Sequence, residues 1–196
     1  MTEENLKRRL AFLTESERMD TILRQTPVPG TSRMENDAEH SYHFALTALT
    51  LAPYAAEKID LSRVLQMALL HDLVELYAGD TYVYDSAAQE SQAQREEEAA
   101  QKLYGLLPAK QGAHFAALWR EFDAQSSADA RFAACIDRLQ PLLRNFQSGG
   151  ISWKQHRVRR PQVEERIRLL QTAAPALHVY AESLLDAAVQ NGWLLP

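Results

Sequence analysis

The sequence predicts an all-α protein, a single-domain helical bundle. Apolar residues recur at helical spacing from end to end, and the alternation typical of strands joined by hairpin dipeptides is absent, since Asn191-Gly192 comes only near the C-terminal end. No Pro/Gly/Ser-rich stretch divides the 196 residues. One domain covering residues 1–196, with a sizeable core, is therefore expected.

Eight helices are expected, each bounded by turn or capping residues. Their ranges are about 3–25, 38–56, 61–78, 91–106, 109–124, 128–147, 161–172 and 174–191. Pro27 and Gly30 break the chain after the first helix, Gly149-Gly150 ends the sixth, and Pro161 fits the first turn of the seventh. Apolar residues of the last helix could pack within the molecule or across a dimer, and the sequence leaves both open.

Three connections are long enough to carry function. Residues 26–37 and 79–90 are longer than the fold requires and are candidates for a substrate entrance beside a buried polar cluster. The third, 149–160, contains Trp153 and His156. For this segment, packing of the tryptophan onto the bundle surface and a functional role both remain open.

The charge and cysteine content restricts the possible partners. The chain has 21 Lys and Arg against 26 Asp and Glu, a net charge of −5, and its basic residues are scattered apart from Arg157, Arg159 and Arg160. These are too few to follow a long nucleic acid, whereas a metal ion with one or two arginines could still attract a small phosphorylated substrate. Cys135 cannot form an internal disulfide and is interpreted as a core residue in a reducing compartment.

The N-terminal and apolar segments predict a cytoplasmic protein without a membrane partner. The chain begins with mixed charged residues rather than a basic stretch followed by an apolar one. The longest apolar run, residues 44–56, is short and broken by Thr and Pro.

The segment from His71 to Glu75 places ionisable groups inside an apolar helix that is expected to be buried nearly all round. The apolar neighbours are Val64, Leu65, Met67, Ala68, Leu69, Leu70, Leu73, Val74, Leu76 and Tyr77. A carboxylate in such surroundings costs on the order of several kcal/mol unless a cation or hydrogen bonds meet it. We therefore expect Asp72 to face a metal ion or a partner charge, as in a metal-dependent enzyme.

Further metal ligands must come from other helices. His71 and Glu75 share a helix face, and Asp72 lies about 100° around the helix from His71, so His71 and Asp72 can bind one ion between them. His40 and Asp137 are the candidates for the remaining positions. Two His and two Asp suit Mn²⁺, Fe²⁺, Co²⁺, Ni²⁺, Zn²⁺ or Mg²⁺, and a six-coordinate ion would leave two positions for water or a phosphate oxygen.

Interpretations without a catalytic or metal-binding role compete with these assignments. Asp137 could simply pair with Arg138 or Arg144. Three further histidines are interpreted as packing, groove or surface residues; they are His43, His114 and His178.

The order His40, then His71-Asp72, then Asp137 resembles the H…HD…D signature of the HD-domain phosphohydrolase superfamily. The surrounding residues, 33–40, 71–80 and 137–142, are similar to the three motifs of the branch that contains the bacterial 5′-deoxynucleotidases and their archaeal and eukaryotic relatives. The resemblance covers residues from about 20 to 190. It implies an α-helical bundle, usually a homodimer, that binds one divalent cation through His40, His71, Asp72 and Asp137.

The resemblance also implies roles for neighbouring residues. Glu75 matches the glutamate that acts on the attacking water, and it lies one helical turn after His71. Four residues are implied in substrate binding: Asp80 at the nucleoside sugar, Arg33 and Glu35 in the pocket lining, and Arg24 at the phosphate. For Arg24, the alternative is an exposed helix arginine.

The implied reaction is hydrolysis of a (deoxy)nucleoside 5′-monophosphate to nucleoside and phosphate. Gln25 departs from the pattern, because the bacterial deoxynucleotidases typically carry Trp after the basic residue, and sugar selectivity therefore stays open. Two alternatives remain: an HD hydrolase acting on another phosphorylated metabolite or nucleotide, and a regulatory module that binds metal and nucleotide without turnover.

Overall fold

The computed structural model describes residues 2–79 and 92–196, and helices dominate this part of the chain. The helices are α1 (Glu3–Ser16), α2 (Asp37–Leu51), α3 (Leu61–Leu70), α4 (Glu75–Ala78), α5 (Gln92–Tyr104), α6 (Ala109–Ala124), α7 (Ala128–Gln147), α8 (Ile151–Gln155), α9 (Arg160–Ile167), α10 (Leu170–Ala173) and α11 (Pro175–Gln190). Short 3₁₀ helices cover Glu17–Thr21 and Ala52–Tyr54. The predicted all-α class is confirmed.

The predicted end of the first helix is wrong, because a small β-hairpin follows it. Strand β1 (Leu23–Pro27) pairs antiparallel with β2 (Met34–Asn36). Gly30, at a φ of +76°, lies in the turn between them, where a left-handed backbone favours glycine. Strands of five and three residues are too short to show an alternating pattern in the sequence.

The predicted helix 61–78 is interrupted, since residues 71–74 form a turn between α3 and α4. Two carbonyl groups near the end of α3 accept side-chain hydrogen bonds: Ala68 from His71 Nδ1–H (3.0 Å) and Leu70 from the Tyr104 hydroxyl (3.0 Å). These bonds compete with continuation of the backbone helix. The prediction that this helix is buried on nearly all sides is also wrong at Leu69, which is 56% exposed.

Helices α2, α3 and α7 pack against one another and form the centre of the bundle. Large side chains that are fully buried there include Phe44, Met67 and Ile136. Cys135 is buried with them, as predicted. The cluster of buried apolar residues extends along the chain from Phe12 to Leu194, whereas the single domain 1–196 stays a prediction.

Membrane-spanning segments were also sought in the described ranges. None of the helices there combines the length and the apolar character that a bilayer crossing requires.

Candidate active site

Three segments of the bundle bring the predicted ligand residues together. His40 lies in the first turns of α2, His71 and Asp72 lie in the turn after α3, and Asp137 lies in the middle of α7. Helix α2 begins where β2 ends, at a capping box: the Asn36 side chain accepts from the backbone N–H of Glu39, whose carboxylate accepts from the backbone N–H of Asn36. The hairpin thus fixes where α2 starts.

The ligand atoms of the four residues converge. His40 Nε2 lies 3.0 Å from Asp137 Oδ1 and 3.8 Å from Asp72 Oδ2. His71 Nε2 lies 3.0 Å from Asp72 Oδ2 and 3.6 Å from Asp137 Oδ1. Both imidazoles are nearly fully buried, and the carboxylates retain only slight exposure. We call these four residues the His/Asp cluster.

Hydrogen bonds on the far side of each imidazole orient the histidines. His40 Nδ1–H donates to Gln140 Oε1 (3.0 Å), and His71 Nδ1–H donates to the Ala68 carbonyl (3.0 Å). The ring of His71 is also packed edge-on against Phe44 and Phe122. Each Nε2 is therefore directed at the carboxylates, in the orientation that metal-binding histidines adopt.

The His/Asp cluster fits a divalent metal ion. The His71 Nε2 atom is buried 3.0 Å from Asp72 Oδ2 but not in hydrogen-bonding geometry, and ligand atoms of His40 and Asp72 lie within 4.8 Å of it. Burial opposes the charged form of His71, but the Asp72 and Asp137 carboxylates outweigh it and raise its pKa to about 10. The carboxylates thus favour positive charge between them, and nitrogen and oxygen donors of this kind suit first-row divalent ions.

A chain of polar side chains continues behind His40. Gln140 Nε2–H donates to Glu35 Oε1 (3.1 Å), and Arg144 Nη2 lies 3.2 Å from the same oxygen. Glu35 is fully buried, and contrary to expectation it does not line the cavity described below. Asp137 does not pair with Arg144, because this arginine binds Glu35 instead.

A cavity of about 310 Å³ opens onto the His/Asp cluster. The charged residues that line it, besides the cluster, are Arg24, Glu75, Glu96, Asp123, Arg138 and Arg166, and the large aromatic residues are Trp119, Phe122 and Trp153. Such a mixture of aromatic and charged walls is typical of a small-molecule site.

Arg24 reaches the His/Asp cluster from strand β1. Its Nη1 lies 2.6 Å from Asp72 Oδ2 and 3.3 Å from Asp37 Oδ1, and its side chain is only 17% exposed. Burial opposes the charge of Arg24, but the surrounding carboxylates raise its pKa above the usual value. The alternative of an exposed helix arginine is wrong.

The other residues with implied roles fall in three places. Glu75 begins α4 and lines the cavity, with its carboxylate within 4.8 Å of those of Asp37 and Asp72. Arg33 is exposed, bonds Glu39 and does not line the cavity. Asp80 lies outside the described residues.

The remaining histidines do not join the cluster. His43 is partly buried on α2, where burial lowers its pKa. His114 contacts Gln66, and His178 lies near Glu182.

Sequence reasoning missed several residues of the site. Gln140 could have been found, because it follows Asp137 by three residues on one face of α7. Trp153 is 3% exposed and lines the cavity from α8, so it does not simply cover the bundle surface. Asp123 and Glu96 also line the cavity, and no sequence motif marks them. Burial raises the pKa of both carboxyl groups.

Comparison with known proteins identifies the class that this fold and site define. Residues 16–178 match the HD domain family, so the chain belongs to that family. The human 5′-deoxynucleotidase HDDC2 is 32% identical over 111 residues, which cover 57% of this chain and 53% of that protein. A Schizosaccharomyces pombe relative, 5′-deoxynucleotidase hdd1, is 28% identical over 123 residues, which cover 60% of each chain. The chain therefore spans about half the length of the human relative.

Solved structures share the fold. A predicted metal-dependent phosphohydrolase from Magnetospirillum magnetotacticum is 45% identical, with a TM-score of 0.95 over 99% of this chain and 97% of that one. The PH0347 protein from Pyrococcus horikoshii is 22% identical, with a TM-score of 0.63 over 93% of this chain and 99% of that one. The second likeness shows the fold alone.

Proposed function

We propose that this chain is a metal-dependent phosphohydrolase that hydrolyses (deoxy)nucleoside 5′-monophosphates to nucleoside and phosphate. The observation that carries the proposal is the convergence of His40, His71, Asp72 and Asp137 at a cavity that also holds Glu75. The names of the relatives support a nucleotide as the substrate.

The His/Asp cluster would hold one divalent ion. The chemistry that such an ion supplies is neutralisation of charge on the phosphate and a lower pKa for an attacking water. The identity of the metal stays open among Mn, Co, Fe, Ni, Mg and Zn, because ligand type and availability both decide it.

Glu75 and Arg24 would assist the reaction from this chain's side. The Glu75 carboxylate accepts a proton from the attacking water, and the same proton is then available to the departing 5′-oxygen as the phosphorus–oxygen bond breaks. The Arg24 guanidinium, 2.6 Å from Asp72, offsets charge that develops on the phosphoryl oxygens.

Aromatic side chains would hold the nucleoside. Trp119 and Trp153 are 5% and 3% exposed and form part of the cavity wall. They provide flat apolar surface for the base, although Gln25 stands where the bacterial enzymes typically have Trp. Stacking on aromatic rings tolerates any base. Direct contacts from Arg33, Glu35 and Asp80 to the substrate stay predictions.

Phosphate release by metal-stripped protein tests the proposal. A panel of ribo- and deoxyribonucleoside 5′-monophosphates is supplied with Mn²⁺, Co²⁺ or Mg²⁺ added back. We expect release that needs the metal and is lost in His71→Ala and Asp72→Ala, while the control His114→Ala, outside the cavity, retains it.

Each result of that experiment has a defined reading. Release from deoxynucleotides alone would add sugar selectivity to the proposal. No release from any nucleoside monophosphate with any of the metals would contradict the proposal and favour another phosphorylated substrate or the regulatory module. The homodimer stays a prediction based on the family resemblance, and the cytoplasmic location stays a prediction based on the sequence.

A further inference from the structure

We propose that Arg138 and Arg166 form a phosphate-binding pair beside Asp137, in addition to Arg24. Both arginines line the cavity that contains the His/Asp cluster. The inference rests on the proposed function, because it names groups that hold the substrate's phosphate.

Carboxylates are concentrated around the His/Asp cluster. A divalent ion would balance the two carboxylates of the cluster, Asp72 and Asp137. The carboxylates of Asp37 and Glu75 lie within 4.8 Å of Asp72, and Arg24 is already bonded to Asp72 and near Asp37. A phosphate dianion would meet net negative charge there unless further cations lie close.

Arg138 is an unusual arginine in this molecule. It is partly buried, yet it forms neither a hydrogen bond nor an ion pair with any residue of the described ranges. Other partly buried arginines are paired, as Arg63 is with Glu121 and Asp129. A guanidinium that is partly withdrawn from water and has no hydrogen-bonded anion is suited to bind an anionic ligand in the cavity that it lines.

Arg166 adds a second positive charge at the same place. Its Nη2 lies 3.8 Å from Asp137 Oδ2, which is too long for a hydrogen bond and leaves the N–H donors available to a ligand. Both guanidinium groups line the same cavity, where like charges repel each other. An anion bound to both would relieve that repulsion.

The two arginines also line a second cavity, of about 920 Å³, together with Arg168. Arg168 is paired with Glu165 and does not line the cavity of the His/Asp cluster. A variant of Arg168 therefore tells whether a phosphate binds beside Asp137 or in the second cavity.

Calorimetry of inorganic phosphate binding to the Mn²⁺-loaded protein tests the pair. We expect Arg138→Gln and Arg166→Gln each to weaken phosphate binding about tenfold, because each removes charged hydrogen-bond donors. Arg138→Lys should recover part of the loss. Arg168→Gln, and Arg131→Gln on the same helix α7, should bind phosphate as the wild type does. Mn²⁺ affinity should stay within about twofold in all of them, since the His/Asp cluster is intact.

The inference is overturned if Arg166→Gln binds phosphate like the wild type. The Arg166 side chain is partly exposed, so this variant can be measured even if Arg138→Gln fails to fold. It is also overturned if Arg168→Gln loses as much affinity. Phosphate binding that depends on the pair, without hydrolysis of any nucleoside monophosphate, would sustain the anion site and remove the proposed function. Hydrolysis of nucleoside monophosphates, with phosphate binding unchanged in the Arg138 and Arg166 variants, would sustain the proposed function and remove the anion site.

Discussion

The carboxylate of Glu75 lines the cavity and lies within 4.8 Å of those of Asp37 and Asp72, but Glu75 is not one of the four residues of the His/Asp cluster. Glu75→Gln should therefore keep metal affinity while turnover falls about 10²–10⁴-fold, since general-base assistance is lost. Steady-state phosphate release and a metal titration on the same preparation would measure both. Near-normal turnover with metal bound would contradict the role, and Glu97→Gln, at an exposed position on α5, is the control.

Gln140 holds His40 from behind, and its loss should weaken metal binding. Gln140→Leu removes the acceptor for His40 Nδ1–H and a donor to buried Glu35. Loss of such a supporting hydrogen bond lowers metal affinity about 10–100-fold. Competition with a chelating dye for Co²⁺ would measure this, with exposed Gln147→Leu on the same helix as control. Equal affinities in the two variants would show that His40 needs no such support.

The sequence allowed part of the site to be predicted at this scale. His71 and Asp72 could be predicted as site residues because ionisable groups in an apolar run are costly to bury without a partner. Trp119 and Trp153 could not be predicted as site residues, because a tryptophan in a core has many uses until its neighbours are known. Gln140 was missed although its position three residues after Asp137 places it on the same face of α7.

The hairpin and helix α2 are joined by an exposed ion pair between Arg33 and Glu39. Hydrogen bonding from Arg33 lowers the pKa of Glu39 from 4.5 to about 2. A depressed acid pKa stabilises the fold above the unfolded value of 4.5, and this contribution is lost as the pH falls toward 2.

Arg33→Gln should lower Tm at pH 7 by about 2 °C, as expected for a solvent-exposed pair. The difference from the wild type should shrink as the pH falls from 4.5 toward 2. Thermal unfolding at several pH values would check this, and in a Glu39→Gln background the substitution should have no pH-dependent effect. A larger KM for nucleotide in Arg33→Gln would in addition support the predicted substrate contact.

Elements with local signals were predicted best. Helix α7 begins where expected because the Ser127 side chain caps it by accepting from the Ala130 N–H (3.1 Å), and α6 ends at Gln125 in a left-handed conformation. The turn at residues 71–74 was missed because the Tyr104 hydroxyl, from a distant helix, bonds the Leu70 carbonyl. The hairpin was missed because its strands are short and its Arg24 is held by Asp72.

For the molecule as a whole, helical periodicity was sufficient for the fold class, since nearly every helix buries one face in the same cluster. How helices that are remote along the chain meet was not readable from their periodicity. The family resemblance supplied that information for α2, α3 and α7.

The His/Asp cluster draws on positions 40, 71, 72 and 137. An ion bound there would therefore act as a removable cross-link between α2, the turn after α3, and α7. Binding to the folded state alone adds about 2.7 kcal/mol of stability when the free metal is at a hundred times its Kd. For a chain of this size, that is a rise in Tm of roughly 5–10 °C. Scanning calorimetry with and without Mn²⁺ would measure it, and Asp137→Asn should abolish most of the rise. Chelation would then expose the protein to proteolysis at temperatures that the loaded form withstands.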